Sequence, residues 1–135
     1  MKQRRRFALI LMALVSQAGL AAEVLVDTAW LGSRLNEPDV IVVDMTDDEM
    51  QYTRYHIPGA VRLAYSDLLS EPVGKAPPSP LTEAQLAKLL GALGISRQSR
   101  VVIYDDVGGL NAGRLFFDLE RIGHPQVSVL NGGSV

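Results

Sequence analysis

Asp105 and Asp106 follow the apolar run VVIY at 101–104 and precede Gly108, Gly109 and an apolar helical stripe that starts near Asn111. A buried strand that passes through a tight glycine loop into a helix collects backbone N–H groups at the helix N-terminus, where the macrodipole also favours negative charge. The chemistry of such a loop is the holding of an anion or a reactive thiolate. The candidate anion loop therefore comprises Asp105, Asp106, Val107, Gly108, Gly109, Leu110, Asn111 and Arg114. The two carboxylates at its entrance are themselves anions, and capping of the helix is their simplest role. A catalytic carboxylate would need a second tuned group, and the sequence offers none that can be placed. Arg114 stands four residues before Asp118, the spacing of an ion pair along one helix face, with contact to an anionic substrate or a neighbouring domain as the other role.

The phosphate and metal patterns fail at specific positions. Gly108 to Gly113 has GxxxxG spacing, but Arg114-Leu115 occupy the places where a P-loop needs Lys and Ser/Thr for phosphate and magnesium. A dinucleotide fingerprint starting at Gly108 needs glycine where Leu110 stands, and an Asp-x-Asp phosphoaspartate loop needs an acid where Val107 stands. Asp44, Asp47, Asp48 and Glu49 lack the spacing of a calcium loop and read as a solvated acidic turn. The chain has no cysteine, which excludes disulfides, zinc–thiolate sites and thiol chemistry carried by its own residues. His124 sits beside a helix C-terminus, where the dipole accounts for it. Trp30, the single tryptophan, reads as a core or domain-contact anchor. Nothing in the pattern calls for a metal or an organic cofactor.

The elements that would position this loop alternate. VLV at 24–26 is a candidate edge strand, and Asp27 can cap a short helix through Trp30, Leu31 and Leu35. VIVV at 40–43 is apolar throughout, as in a parallel strand covered on both faces. Residues 45–55 show no clear period, and Pro58-Gly59 makes a turn directly before a strand of about four residues. EPVGKAPPSP at 71–80 is a surface loop. Thr82 and Gln85 form a capping box ahead of Leu86, Leu89, Leu90 and Leu93, and Gly94 stands where a helix C′ residue belongs. After VVIY, a stripe of Ala112, Leu115, Phe116, Leu119 and Ile122 marks a helix that Gly123-His124-Pro125 stops, and VSVL at 127–130 is the last strand. Strands alternating with helices imply an α/β fold, an open parallel sheet with helices on both faces. No helix follows VSVL before Val135, so the sequence implies a sheet face that needs another cover, and a C-terminal end that is truncated or continued by a following domain.

Residues 1–21 have the layout of a secretory signal peptide: Lys2, Arg4, Arg5 and Arg6, then the apolar run FALILMALV at 7–15, then small residues at Gly19, Ala21 and Ala22. The run is too short to span a bilayer, which needs about 20 apolar residues, so no stable membrane insertion is expected after cleavage. Arg4-Arg5-Arg6-Phe7 also resembles a twin-arginine export sequence. Cleavage after Ala21 removes four of the 13 basic residues and none of the 15 acidic ones, leaving a domain at 22–135 with a net charge of −6 and a periplasmic or secreted location. That charge, without a basic stripe, offers no footprint for nucleic acid.

Six stretches in order, VVDMT at 42–46, YHIPGAVRL at 55–63, PLTEAQLAKLLGALGI at 80–95, VVIYDDVGG at 101–109, AGRLFFDLERIGH at 112–124 and VSVLNGG at 127–133, resemble the rhodanese family of sulfurtransferases. HIPGA and the closing VLNGG are the most specific, and Tyr55 departs from the glycine usual before HIPGA. The resemblance implies that the family's nucleophilic cysteine falls at Asp105 here, and that His56 has a structural role in satisfying local backbone groups. A carboxylate cannot carry a persulfide, so the resemblance points to the first, non-catalytic half of a tandem thiosulfate or 3-mercaptopyruvate sulfurtransferase, with Asp105 or Asp106 supplying the charge that the cradle seeks. The partners it implies are a following catalytic rhodanese domain or partner protein, and a small sulfur-containing anion. A stand-alone module that binds a partner protein or small anion without catalysis is the alternative.

Overall fold

The computed structural model describes residues 22–133. Residues 1–21, read from the sequence as a signal peptide, lie outside them, as do Ser134 and Val135. Five parallel strands form one sheet: β1 (Leu25–Val26), β2 (Val40–Asp44), β3 (Val61–Arg62), β4 (Arg100–Tyr104) and β5 (Val127–Leu130), in the spatial order β1-β5-β4-β2-β3. β2 and β4, the long central pair, run in register from Val40 beside Arg100 to Asp44 beside Tyr104. Their carboxyl ends therefore finish side by side. Both are apolar on both faces because both faces are covered.

Four α-helices flank the sheet: α1 (Thr28–Gly32), α2 (Glu49–Tyr55), α3 (Glu83–Ala92) and α4 (Leu110–Arg121). Asp27 Oδ1 accepts from Trp30 N at 2.7 Å and starts α1, which ends at Gly32 before Leu35 is reached. The capping box of α3 forms reciprocally, Gln85 N donating to Thr82 Oγ1 at 3.3 Å and Thr82 N to Gln85 Oε1 at 2.9 Å. Gly94 follows with φ +81°, a left-handed conformation in which only glycine is unstrained. On one face of the sheet Val43, Val101 and Ile103 pack with Leu86 of α3 and with Leu115 and Leu119 of α4. On the other, Val26, Val102 and Tyr104 pack with Leu31 of α1. Each fully buried leucine contributes about 1.5–3 kcal/mol through its removal from water.

Two local expectations change. The acidic stretch without a period contains α2, capped by Asp48 Oδ1 accepting from Met50 N at 2.8 Å. None of its residues is buried, so it carries no apolar stripe for a periodicity to reveal. β3 has two residues rather than about four, because a 3₁₀ turn at Tyr65–Leu68 takes over the chain and buries Leu68 instead. The proline-rich stretch is an exposed loop whose neighbouring ends are tied where Leu69 bridges Pro80.

Candidate functional site

β4 delivers Asp105 to the carboxyl end of the sheet, the place where open α/β sheets bind ligands. The chain then makes a narrow turn through Gly108 and Gly109, with φ of +71° and +89°, and Gly109 is the N-cap of α4. A side chain at either position would be strained, which is why this turn needs two glycines. The result is a concave set of backbone N–H groups of the kind that binds anions.

That concavity is filled from within. Asp105 Oδ1 accepts from Val107 N at 3.1 Å and from Gly109 N at 2.7 Å, and Oδ2 accepts from Ala112 N at 2.9 Å. The residue is 2% exposed. Hydrogen bonds to a charged acceptor are the stronger kind, and here they also satisfy donors at the start of α4 that have no partner inside the helix. Asp105 thus supplies the capping carboxylate of α4 from four residues ahead of its N-cap, Gly109.

Asp106 is not part of the cradle: it turns to the β2 exit, where Oδ1 accepts from Asp47 N at 3.3 Å. Asn111 is buried and reaches the same segment, its Nδ2 donating to Met45 O at 3.1 Å and Asp47 Oδ1 at 2.9 Å. Arg114 is held away by Asp118, Nε donating to Oδ2 at 2.8 Å, with a longer contact of 3.4 Å from Nη1 to the Tyr65 hydroxyl. The hydrogen bond to Asp118 raises the guanidinium pKa above its ordinary value. Val107 and Leu110 give backbone to the turn and leave their side chains exposed, Leu110 at 73%. Of the eight loop residues, then, Asp105, Val107, Gly108 and Gly109 make the cradle, Leu110 and Asn111 open the helix, and Asp106 and Arg114 serve other contacts.

Tyr104 and Gly133 were not singled out by sequence reasoning, and Asp44, expected in a solvated acidic turn, is instead 1% exposed at the end of β2. Tyr104, directly before the loop, is buried; its hydroxyl donates to Asp44 Oδ2 and accepts from Ile57 N at 3.0 Å, joining β2, β4 and the turn before β3. Burial, followed by the hydrogen bond to Asp44, pushes its phenol well above the ordinary tyrosine value. Asp44 Oδ1 accepts from Thr46 N at 2.8 Å, so both oxygens of that acid have partners. Gly133 packs so closely on the loop that a Cβ there would lie 2.7 Å from Asp105 O. A pair of glycines after a strand was the available clue, but the contact spans two loops and has no local pattern. His56 Nδ1 lies 2.7 Å from Tyr52 O and its ring stacks on Tyr52, while His124 Nε2 lies 2.9 Å from Ser99 O. Both histidines face backbone carbonyls.

Beside the cradle runs an apolar groove of about 530 Å³ between α4 and the β5–β1 edge, with Leu25, Gly113, Phe116, Val129 and Gly132 among its lining. Leu25 is 57% exposed, and Phe117 and Leu110 extend the apolar surface along α4. Chemically, the site presents N–H donors that are already satisfied, a buried carboxylate, and an uncovered hydrophobic wall. A second anion entering it would meet the Asp105 charge at close range.

Residues 27–135 match the Rhodanese-like domain family. Among curated relatives, the chain is 35% identical to the sulfur carrier protein TtuD of Thermus thermophilus, 33% identical to a thiosulfate sulfurtransferase of Corynebacterium glutamicum, and 37% identical to one of Azotobacter vinelandii. Each similarity covers 82% of this chain but only 38%, 36% and 40% of the relative, so the chain spans less than half the length of these proteins. Among solved structures, the fold resembles the 3-mercaptopyruvate sulfurtransferase of Leishmania major, with a TM-score of 0.67 at 25% identity over 82% of this chain and 33% of that one. It also resembles SseA of Escherichia coli, with a TM-score of 0.64 at 24% identity over 83% and 47%. The parallel five-stranded sheet, the glycine turn that opens α4 and the family match agree, and the chain belongs to the rhodanese family, with Asp105 seated inside the loop that follows β4.

Proposed function

We propose that this chain is the non-catalytic rhodanese domain of an exported sulfurtransferase, inactive in sulfur transfer by itself, and that the nucleophilic cysteine resides on a following domain. The observation that carries this reading is the Asp105 carboxylate bonded to Val107, Gly109 and Ala112 in a chain without cysteine. A persulfide needs a thiolate sulfur, and a carboxylate oxygen cannot form one or hand it on. Relatives named thiosulfate sulfurtransferase, of which this chain spans 36–40%, supply the reaction class. The apolar groove beside α4 supports a following domain, since a hydrophobic wall of this kind is normally covered. Export rests on the basic and apolar leader at 1–21, and among the described residues no helix is long and apolar enough to cross a membrane.

Cyanide-dependent thiocyanate formation from thiosulfate tests the activity. The expected result is no turnover by this chain and turnover by the product of the full reading frame; sustained turnover, or a persulfide on the isolated chain by mass spectrometry, overturns the reading. An unprocessed N-terminus on the cytoplasmic protein, found by intact-mass analysis of cell fractions, overturns export alone. The groove also favours a second reading, a module that binds a partner protein through this wall. A stop codon directly after Val135 would select it over the tandem enzyme.

A further inference from the structure

The end of the sheet opposite the Asp105 loop holds a second candidate site. At the amino ends of β4 and β5, on the α1 face, a cavity of about 360 Å³ is lined by Glu23, Val26, Trp30, Arg100, Gln126 and Ser128, together with Ala22. Two guanidinium groups approach the single indole: the Arg34 carbon lies 4.5 Å and the Arg100 carbon 5.8 Å from the Trp30 ring centroid. Each cation is attracted to the ring, but the two like charges that share it repel one another. Among the described residues neither has a carboxylate within 4.0 Å. Arg34 Nη1 donates to Ser33 Oγ at 3.0 Å and Arg100 Nε to Gln126 Oε1 at 2.9 Å, which leaves most of their ten N–H donors unused.

The side-chain acceptors of Gln126 and Ser128 in the cavity wall are, by contrast, already engaged, and the Glu23 carboxylate is the one acid there. Gln126 Oε1 takes the Arg100 donor, and the Ser128 hydroxyl donates to Glu23 O. No acceptor among the described residues takes the Trp30 indole N–H. Spare donors, two unpaired half-buried cations and an apolar floor of Val26 and Trp30 fit a ligand that only accepts and carries negative charge. We propose that this cavity binds a small anion with two or more oxygens on one centre, an oxyanion or a carboxylate, which Arg100 contacts inside the cavity while Arg34 reinforces it from the indole face. The volume lies near the lower end of the range for small-molecule sites, about 300–1,000 Å³. Glu23, the one acid in the lining, opposes the ligand and sets a limit on affinity. The site is independent of the sulfur-transfer reading, since its lining and that of the groove beside the Asp105 loop share no residue.

Trp30 is the chain's only tryptophan and lines the cavity, so its emission reports a change there. The full chain is titrated with sodium sulfate and with sodium butyrate, with ionic strength held constant by sodium chloride. The expected result is a saturable change in emission that chloride does not produce, sulfate saturating first for an oxyanion site and butyrate first for a carboxylate with an apolar body. Arg100→Gln should weaken binding at least about tenfold and Arg34→Gln about threefold, the loss of one contacting and one distant charge, whereas Glu23→Gln should tighten it about threefold. A linear response matched by chloride overturns the proposal, as does unchanged affinity in a folded Arg100→Gln chain. Should Arg100→Gln fail to fold by circular dichroism, unchanged affinity in both Arg34→Gln and Glu23→Gln overturns it.

Discussion

Replacing Asp105 by alanine empties the cradle without touching the glycine turn that shapes it. Three backbone donors lose their acceptor, those of Val107, Gly109 and Ala112. The bond to Ala112 is buried and the other two are half-buried, so water can rehydrate Val107 and Gly109 in part while Ala112 N stays dry. An orphaned buried donor costs about 1–3 kcal/mol, and with partial rehydration the three together should cost about 2–4 kcal/mol. For a folded domain of this size that is a fall in Tm of roughly 10–20 °C, measured by circular dichroism. The vacated donors should then bind sulfate. With a Kd of about 5 mM, 50 mM sulfate would restore about 1.4 kcal/mol by mass action. Sulfate stabilises most proteins a little by exclusion from their surface, so the quantity to compare is the sulfate-induced rise in Asp105→Ala minus that in the unsubstituted chain. Asp105→Asn, which keeps one acceptor oxygen, should fall between the two. An Asp105→Ala chain that melts at the same temperature as the original, or one that gains no more from sulfate than the original does, would refute the assignment of the cradle to this carboxylate. Asp106→Ala should show neither effect, because its carboxylate bonds Asp47 N and not the loop.

Three further outcomes follow from the geometry. Tyr104→Phe removes the hydroxyl that joins Asp44 to Ile57 N and should cost about 1–3 kcal/mol in urea denaturation at neutral pH. The folded phenol is raised above the unfolded value of about 10, so its stabilisation is intact below that pH and is lost as pH climbs toward the folded value. The original chain should therefore lose stability from about pH 10 upward more steeply than Tyr104→Phe, and equal slopes would contradict the burial of this group. Gly133→Ala places a methyl group 2.7 Å from Asp105 O at a residue with φ +60° and should destabilise by about 1–3 kcal/mol, whereas Gly32→Ala, with open space around it and no positive φ, should be neutral or mildly stabilising in the same assay. Thr82→Ala removes half of the α3 capping box and should cost about 1 kcal/mol by the same measurement, with Thr82→Ser close to the original.

Much of the scaffold was readable along the chain because its determinants are local or periodic. The α3 capping box lies within four residues, and the leucines behind it repeat at helical spacing, so Thr82 to Gly94 could be assigned from propensity and pattern. The central strands announced themselves as short runs apolar at every position, the mark of burial on both faces. Legibility failed where the residues of an element carry no local mark of the outcome. α2 buries nothing, so it has no stripe, and its start depends on one capping bond from Asp48. The length of β3 was set by the competing 3₁₀ turn that buries Leu68, a choice made by the core and not by the strand residues themselves.

The loop after β4 divides in the same way. Composition and order alone established that this chain has no thiol, that a pair of glycines closely follows an apolar run, and that two adjacent carboxylates stand between them. Those statements concern residue types and neighbours a few positions apart, and they hold in any conformation. Which acid enters the cradle could be settled only by the fold, because Asp105 and Asp106 are adjacent and chemically the same. The register of β4 in the sheet turns one side chain inward toward Gly109 and Ala112 and its neighbour outward to Asp47, 59 positions earlier in the chain. The same register brings Arg100 of β4 toward Trp30 of α1. Contacts of that span carry no local periodicity, since their partners are selected by how strands and helices pack after the chain has collapsed.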